Sequence, residues 1–332
     1  MGVCSKVKTK IKRREMGLLQ KLGVLLISLS ILVVVSAAVF AYTLLKPVAI
    51  EKVRLDFFNE SELSFLVVGD QGTGNLRQWR VASAMEQQAA LNPIDAVFLA
   101  GDNFYRYGVS SPRDWQWRYK FENVYTGRLS ATPFFATLGN HDYYGNELAQ
   151  INYDLKDMGS GRWQMPARDY IKVFGRDGSQ ALLRVAFIDT GLWLRNPLDA
   201  TSQLDALLKS TEPALWTVVV THTPLLSANT PDYRPEAPAL WQQILTTHQV
   251  DLVLSGHDHN MQFIDQTHWP VQVIVGSGGK WGQPIEDGNI VGLEAYAAGP
   301  GFARMVVNNT QILLEFLDSE STVLFERSIL QP

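Results

Sequence analysis

The chain has 332 residues, 46% hydrophobic and 19% charged, enough apolar side chain for one large domain or two ordinary ones. Its net charge of −4 is uneven: residues 1–21 hold seven Lys or Arg (Lys6, Lys8, Lys10, Lys12, Arg13, Arg14, Lys21) against Glu15, a net +6 that leaves −10 on the remainder. An acidic main body argues against nucleic acid as the usual partner. A single cysteine, Cys4, excludes an intrachain disulfide.

After the basic tail 1–21, residues 22–45 run 24 positions without a charge. A helix of that length crosses a hydrocarbon core of about 30 Å. The basic flank precedes it, so the spacing predicts a single-pass membrane protein. Its N-terminus is expected to be cytoplasmic and its main domain periplasmic or extracellular. A cleaved signal peptide is the alternative, kept open by Ala-rich SAAVFA, but its apolar region is usually shorter. The start MGVCSK lacks the Ser or Thr at position 6 that myristoylation needs. Pro47 ends the helix, and 46–61 reads as a connector.

From residue 62 to 332 the chain reads as one catalytic domain. Short apolar runs end repeatedly in polar clusters. SFLVV leads to Gly69-Asp70, DAVFLA to Gly101-Asp102, and PFFATL to Gly139-Asn140-His141-Asp142. LWTVVV leads to Thr221-His222, and VDLVLS to Gly256-His257-Asp258-His259. The runs read as buried strands, with helix-like stretches at 76–91, 115–125 and 241–247. Strand–helix alternation predicts α/β layers, whose ligands sit beyond the carboxyl ends of the strands. FARMVV, QILLEFLD and TVLFERSI follow in quick succession and are expected to make a separate antiparallel sheet. Two packed sheets with helices outside are expected.

Taken singly, each cluster has an ordinary reading. Gly-Asp after a strand is a turn or a helix cap, and Gly-Asn-His-Asp is a turn. His222 can be a satisfied strand-end histidine, and Tyr105 a buried aromatic whose hydroxyl finds a neighbour. His257-x-His259 is stronger, because residues i and i+2 of an extended segment face the same way. Four of the six histidines lie in these clusters, and His248 and His268 read as surface residues. Gathering so many unpaired polar groups is costly unless cations supply partners. Carboxylates, an amide oxygen and imidazoles suit a pair of metal ions.

GDQG, GDNFY, GNHD, THTP and GHDH, in that order, resemble the calcineurin-like metallophosphoesterases, and more narrowly the purple acid phosphatases of the tartrate-resistant type. GNHDYYGNELAQINY, GHDHNMQF, GSGGK and GFARMVV extend the resemblance over about residues 62–330. It implies a four-layer α-β-β-α sandwich of two mixed sheets behind the N-terminal helix. It implies Fe(III) held by Asp70, Asp102, Tyr105 and His259. A divalent ion (Fe, Zn or Mn) is held by Asp102, Asn140, His222 and His257, with Asp102 bridging. A phenolate suits a trivalent ion, which displaces a phenol proton well below the free pKa of about 10.

The implied activity is an acid phosphatase. Phosphomonoesters are hydrolysed by metal-bound hydroxide, with His141 donating the leaving-group proton or steadying transition-state charge. Asp142 either orients His141 or caps its turn. Small phosphorylated substrates, phosphoproteins among them, are the expected partners. A phosphodiesterase or pyrophosphohydrolase on the same scaffold is the alternative, and a catalytically dead surface binding protein a more distant one.

Three departures from the family pattern stand out. Pro231 occupies a position that often holds a second active-site histidine. The segment IDTGLWLRNPLDATSQLDALL is shorter than the loop whose cleavage activates mammalian relatives. GDQG lacks the Trp found after the Asp in the mammalian pattern. Trp115, Trp117 and Tyr107 are read either as a pocket rim or as core.

Overall fold

Apolar runs that alternate between two buried faces account for the layers of this molecule. The computed structural model describes residues 21–39, 41, 57, 60–191, 197–229, 237–285 and 290–331. The chain divides into two units, Met1–Pro47 and Val48–Pro332.

In the first unit, helix α1 (Lys21–Val39) carries a continuous apolar sequence with its side chains exposed. Its 19 residues make it long and apolar enough to cross a membrane, about 28 Å at 1.5 Å per residue. Most of the predicted tail 1–21, and residues 42–45 of the predicted span, lie outside the described residues.

The second unit begins earlier than residue 62. Phe57 is buried against Phe174, ring centroids 5.1 Å apart, and its carbonyl accepts from the Gly175 N–H at 3.0 Å. The strands that follow are β1 (Leu63–Val68), β2 (Ala96–Leu99), β3 (Phe134–Ala136) and β4 (Trp163–Gln164). After them come β5 (Tyr170–Asp177), β6 (Gln180–Phe187), β7 (Ala214–Val220) and β8 (Leu252–Ser255). The last six are β9 (Met261–Ile264), β10 (Val271–Val275), β11 (Leu293–Ala297), β12 (Gly301–Val307), β13 (Gln311–Asp318) and β14 (Val323–Leu330). They form two seven-stranded mixed sheets, ordered β14-β13-β12-β1-β2-β3-β4 and β11-β9-β10-β8-β7-β6-β5. The last three strands are antiparallel as expected, but they do not form a sheet of their own. β12 pairs antiparallel with β1 from Leu63↔Val307 to Val67↔Ala303, so the C-terminal strands extend the first sheet.

Period-2 alternation places the core. Val185 and Phe187 of β6 and Val218 and Val220 of β7 point into the layer between the sheets. There Phe98 lies 5.3 Å from Phe187 and 4.6 Å from Phe65, which locks one sheet on the other. Ala186 and Val219 face the other way, toward Leu204, Leu208, Trp241 and Leu245 of α4 (Pro197–Lys209) and α5 (Ala237–Thr247). On the first sheet α2 (Leu76–Leu91) buries Val81, Ala84 and Met85. It starts at Asn75, whose side chain accepts from the N–H groups of Arg77 and Gln78 at 2.9 and 3.2 Å, a cap that contributes about 1 kcal/mol. A shorter helix, α3 (Leu148–Leu155), follows the third cluster.

The helix expected over 115–125 is shorter and partly π-helical, with its π turn at Arg118–Glu122. Trp117 on it is core, stacked on Tyr153 at 3.6 Å, whereas Trp115 and Tyr107 are exposed. The core reading thus holds for Trp117 and fails for surface-facing Trp115 and Tyr107.

Candidate metal centre

All five polar clusters lie where the carboxyl ends of the two sheets meet. The Gly69 N–H bonds the Val275 carbonyl at 2.8 Å, tying the end of β1 to the end of β10. The Gly256 N–H bonds the His222 carbonyl at 3.0 Å. Two glycines permit the approach: a Cβ on Gly139 would sit 2.3 Å from Asp102 Oδ1, and one on Gly256 2.6 Å from Asp70 Oδ2. Asp70, Asp102 and His257 have φ of 57°, 53° and 71°. Left-handed non-glycine residues are uncommon and gather at functional sites.

The seven candidate ligands come together in two groups. In the first, the Tyr105 hydroxyl donates to Asp70 Oδ1 at 2.6 Å and meets His259 Nε2 at 3.2 Å. In the second, Asn140 Oδ1 lies 3.0 Å from His222 Nε2 and 3.2 Å from His257 Nδ1, and the two ring nitrogens are 3.3 Å apart. Asp102 borders both, with Oδ1 3.5 Å from His222 Nε2 and its carboxylate beside the Tyr105 phenol. Ligand atoms of Asp70, Asp102 and His222 all fall within 4.8 Å of one another. The His257-x-His259 pair does not converge on one point as an extended segment would. The left-handed turn at His257 sends one ring to each group.

Protons and backbone donors orient these groups. His222 Nδ1 sits 2.8 Å from the Ala100 carbonyl, which fixes the proton there and leaves the Nε2 lone pair facing Asn140. The His257 N–H donates to Asp70 Oδ2 at 2.7 Å. The His141 N–H donates to Asp102 Oδ1 at 2.8 Å. Burial raises the Tyr105 phenol pKa far above its ordinary value, and the carboxylates of Asp70 and Asp102 add to it. Burial works against the Asp70 carboxylate, but the His259 hydrogen bond and the His222 charge outweigh it, so its pKa is lowered. Burial likewise opposes a charged His222, yet Asp102 and Asp70 carry its pKa upward. Two buried carboxylates, an amide oxygen, three imidazole nitrogens and a phenol fit a cation pair, whose charge replaces these strained mutual contacts.

His141 stands beside the groups. Its ring lies 4.4 Å from that of Tyr105, and its Nδ1 meets the Arg106 carbonyl at 2.8 Å. Asp142 does not orient it. The fully buried carboxylate accepts from Asn103 N at 3.1 Å, Asn103 Nδ2 at 3.3 Å, Phe104 N at 3.1 Å and Gly139 N at 2.9 Å. It therefore ties the GNHD turn to the GDNF loop, the turn-capping alternative. Burial, then the charge of Asp102, raises its pKa to about 7, against the pull of its N–H donors.

Some supporting residues were not visible in the sequence. Lys120 Nζ donates to the Tyr105 carbonyl and to Gln116 Oε1. Gln283 Oε1 accepts from the His259 N–H at 2.9 Å. Lys280 ends the glycine loop GSGGK that the sequence already singled out, and places Nζ 5.2 Å from the centre of the Tyr105 ring. Of the non-ligand histidines, His248 pairs with Asp205 at 2.8 Å and His268 is exposed. Pro231 and residues 192–196 of the shortened loop lie outside the described residues.

A family model described as calcineurin-like phosphoesterase matches residues 63–261. Purple acid phosphatase 4 of Arabidopsis thaliana is 30% identical over 288 residues, covering 78% of this chain and 81% of the relative. Tartrate-resistant acid phosphatase type 5 of Rattus norvegicus is 25% identical over 301 residues, covering 81% of this chain and 90% of the relative. Among solved structures, GAP50, described as the anchor in the inner membrane complex of Plasmodium, superposes with a TM-score of 0.73 at 25% identity, covering 82% of this chain and 90% of that one. A purple acid phosphatase from yellow lupin, Lupinus luteus, shares the fold with a TM-score of 0.64 at 19% identity, covering 82% of this chain and 54% of that one.

Proposed function

This chain belongs to the calcineurin-like phosphoesterase family, and we propose that it is a dinuclear-metal acid phosphatase acting on phosphomonoesters. The observation that carries the proposal is the pair of donor groups flanking Asp102. Asp70, Tyr105 and His259 with Asp102 would hold one cation, an Fe(III) that matches the phenol. Asn140, His222 and His257 with Asp102 would hold a second, divalent one (Fe, Zn or Mn). Two such cations, when bound, would supply positive charge to the phosphoryl oxygens and would acidify water enough for it to serve as a nucleophile at low pH.

The protein's own groups do the rest. The Ala100 carbonyl fixes the His222 ring, and the Asp70 carboxylate holds the backbone turn that carries His257. His141 keeps Nδ1 on the Arg106 carbonyl, and that bond fixes the direction of the ring. Nε2 is then the atom that holds a proton for the leaving-group oxygen. Asp142 positions His141 only through the backbone of its turn. Helix α1 would hold the chain in a membrane, with the basic tail cytoplasmic and the catalytic unit on the other side.

The test is a visible spectrum and metal analysis of the purified chain, beside turnover of p-nitrophenyl phosphate. The expected result is two metals per chain, one of them iron, and a broad visible band that is lost in Tyr105→Phe. A colourless protein holding only zinc or manganese would remove Tyr105 from the ligand set and bring the phosphodiesterase or pyrophosphohydrolase alternative forward. A second reading, a surface protein that binds without turning over substrate, is favoured by the likeness to GAP50. It predicts no turnover even with both metals bound.

A further inference from the structure

Three cations, Arg106 and Lys280 on loops and Arg77 in the first turn of α2, stand near the candidate metal centre in a domain of net acidic charge. Lys280 Nζ lies 5.2 Å from the Tyr105 ring centre. Arg77, at the start of α2, places its guanidinium 4.6 Å from the ring centre of Trp281, the residue after Lys280. Arg106 follows Tyr105 directly and is exposed. None of the three has a carboxylate partner among the described residues, although the domain carries an excess of acidic groups. Other basic side chains of the domain do hold carboxylates, as Arg168 does with Glu147 and Asp189, and Arg304 with Glu315.

Of the three, Lys280 is the one held in place. Its backbone N–H bonds the Asp70 carbonyl at 3.1 Å, and the neighbouring Gly279 is pressed so close to Gln71 that a Cβ there would lie 2.4 Å from the Gln71 carbonyl. The lysine stem thus starts from the same rigid loop that carries a candidate ligand. It is half-buried, and its ammonium lies over the ring that His141 also touches. A substrate group next to the scissile ester would meet both His141 and Lys280. Lys280 belongs to neither donor group, so the ammonium is free to take an anion outside the phosphoryl group being transferred.

We propose that Lys280 is a specificity-determining residue that binds a second anionic group of the substrate, a phosphate or a carboxylate, beside the phosphoester that is cleaved. This rests on the phosphatase reading for the identity of the ester, but its test does not depend on turnover. The probes are methylphosphonate, with one anionic group, phosphonoacetate, which adds a carboxylate, and methylenediphosphonate, which adds a second phosphonate. Their binding to the metal-loaded full chain in detergent is measured by calorimetry.

The wild-type chain is expected to bind at least one of the two-anion probes about tenfold or more tightly than methylphosphonate. Lys280→Gln removes that advantage and leaves methylphosphonate within about twofold, while Lys280→Arg retains most of it. Which probe gains tells a phosphate from a carboxylate. Equal weakening of all three by Lys280→Gln would place the ammonium on the transferred group and overturn the proposal. So would the absence of any two-anion advantage in the wild type, or its survival in Lys280→Gln. Loss of p-nitrophenyl phosphate turnover with the binding pattern intact would count against the phosphatase reading alone.

Discussion

Removing the Asp142 carboxylate separates a turn clamp from a catalytic group. In Asp142→Ala, three backbone N–H groups, those of Asn103, Phe104 and Gly139, lose their acceptor, while the Asn103 side chain keeps the Thr137 carbonyl and Gln150 Oε1. The site is fully buried, so water does not simply take over. At about 1–3 kcal/mol for each stranded donor, with partial relaxation, the cost is about 3–6 kcal/mol. That is a large share of the roughly 5–15 kcal/mol that holds a typical fold. The loops it joins carry Asp102, Tyr105, Asn140 and His141, so activity falls with stability. The assay is urea denaturation of Asp142→Ala and Asp142→Asn, with pH–rate profiles measured on the folded fraction. Asn keeps one acceptor oxygen and is expected to lose less stability, with the profile shape unchanged. A stable Asp142→Asn whose acid limb has moved would refute the clamp, because it would place the carboxyl in the protonation of His141.

Asn140→Ala and His222→Ala each remove a contact from the second donor group. Turnover is expected to fall by about a thousandfold or more, with one metal lost per chain by elemental analysis; near-wild-type rates in either would undo the metal assignment. Stripping the metals with a chelator should lower the melting temperature, since it leaves Asp70 and Asp102 buried without their cations, and re-addition should restore it. Burial raises the carboxyls of Asp251 and Asp169 to about 6, against an N–H donor on each, from Thr217 and Asp189 respectively. The folded state therefore binds these protons more tightly than the unfolded one. Their contribution, about 2–3 kcal/mol each, is complete below pH 4 and is lost as pH rises through 6. Denaturation midpoints should record that decline, and Asp251→Asn should flatten part of it.

The strand ends that carry the candidate ligands were legible because buried strands announce themselves as short Val- and Phe-rich runs, and Asp70, Asp102, Asn140 and His222 follow directly. Sheet membership was not legible for residues 302–328. Their antiparallel succession is local, but the pairing of β12 with β1 spans most of the chain and leaves no local trace. The fate of the two histidines in GHDH turned on one backbone angle, at His257, that an alternating pattern does not report. Asp142 read equally as an orienter of His141 and as the cap of its turn, because it follows His141. Only the direction of three N–H groups, two of them on another segment, shows it to be a clamp. Lys120 and Gln283 act on Tyr105 and His259 across long sequence separations, which no spacing argument reaches.

The antiparallel pairing of β1 with β12 also sets an order of assembly. Leu63 meets Val307 only after about 240 further residues have been made, which takes roughly 12–50 s at usual synthesis rates of 5–20 residues per second. Until then β1 offers an open hydrogen-bonding edge, and the first sheet stays incomplete on that side. Loops after β1, β2 and β3 that carry candidate ligands emerge long before the strand that closes their sheet. Completion of the candidate site is thereby tied to the arrival of the C-terminal strands. A chain cut short before residue 301 would display the edge of β1 as a site for misassociation in place of a working pocket.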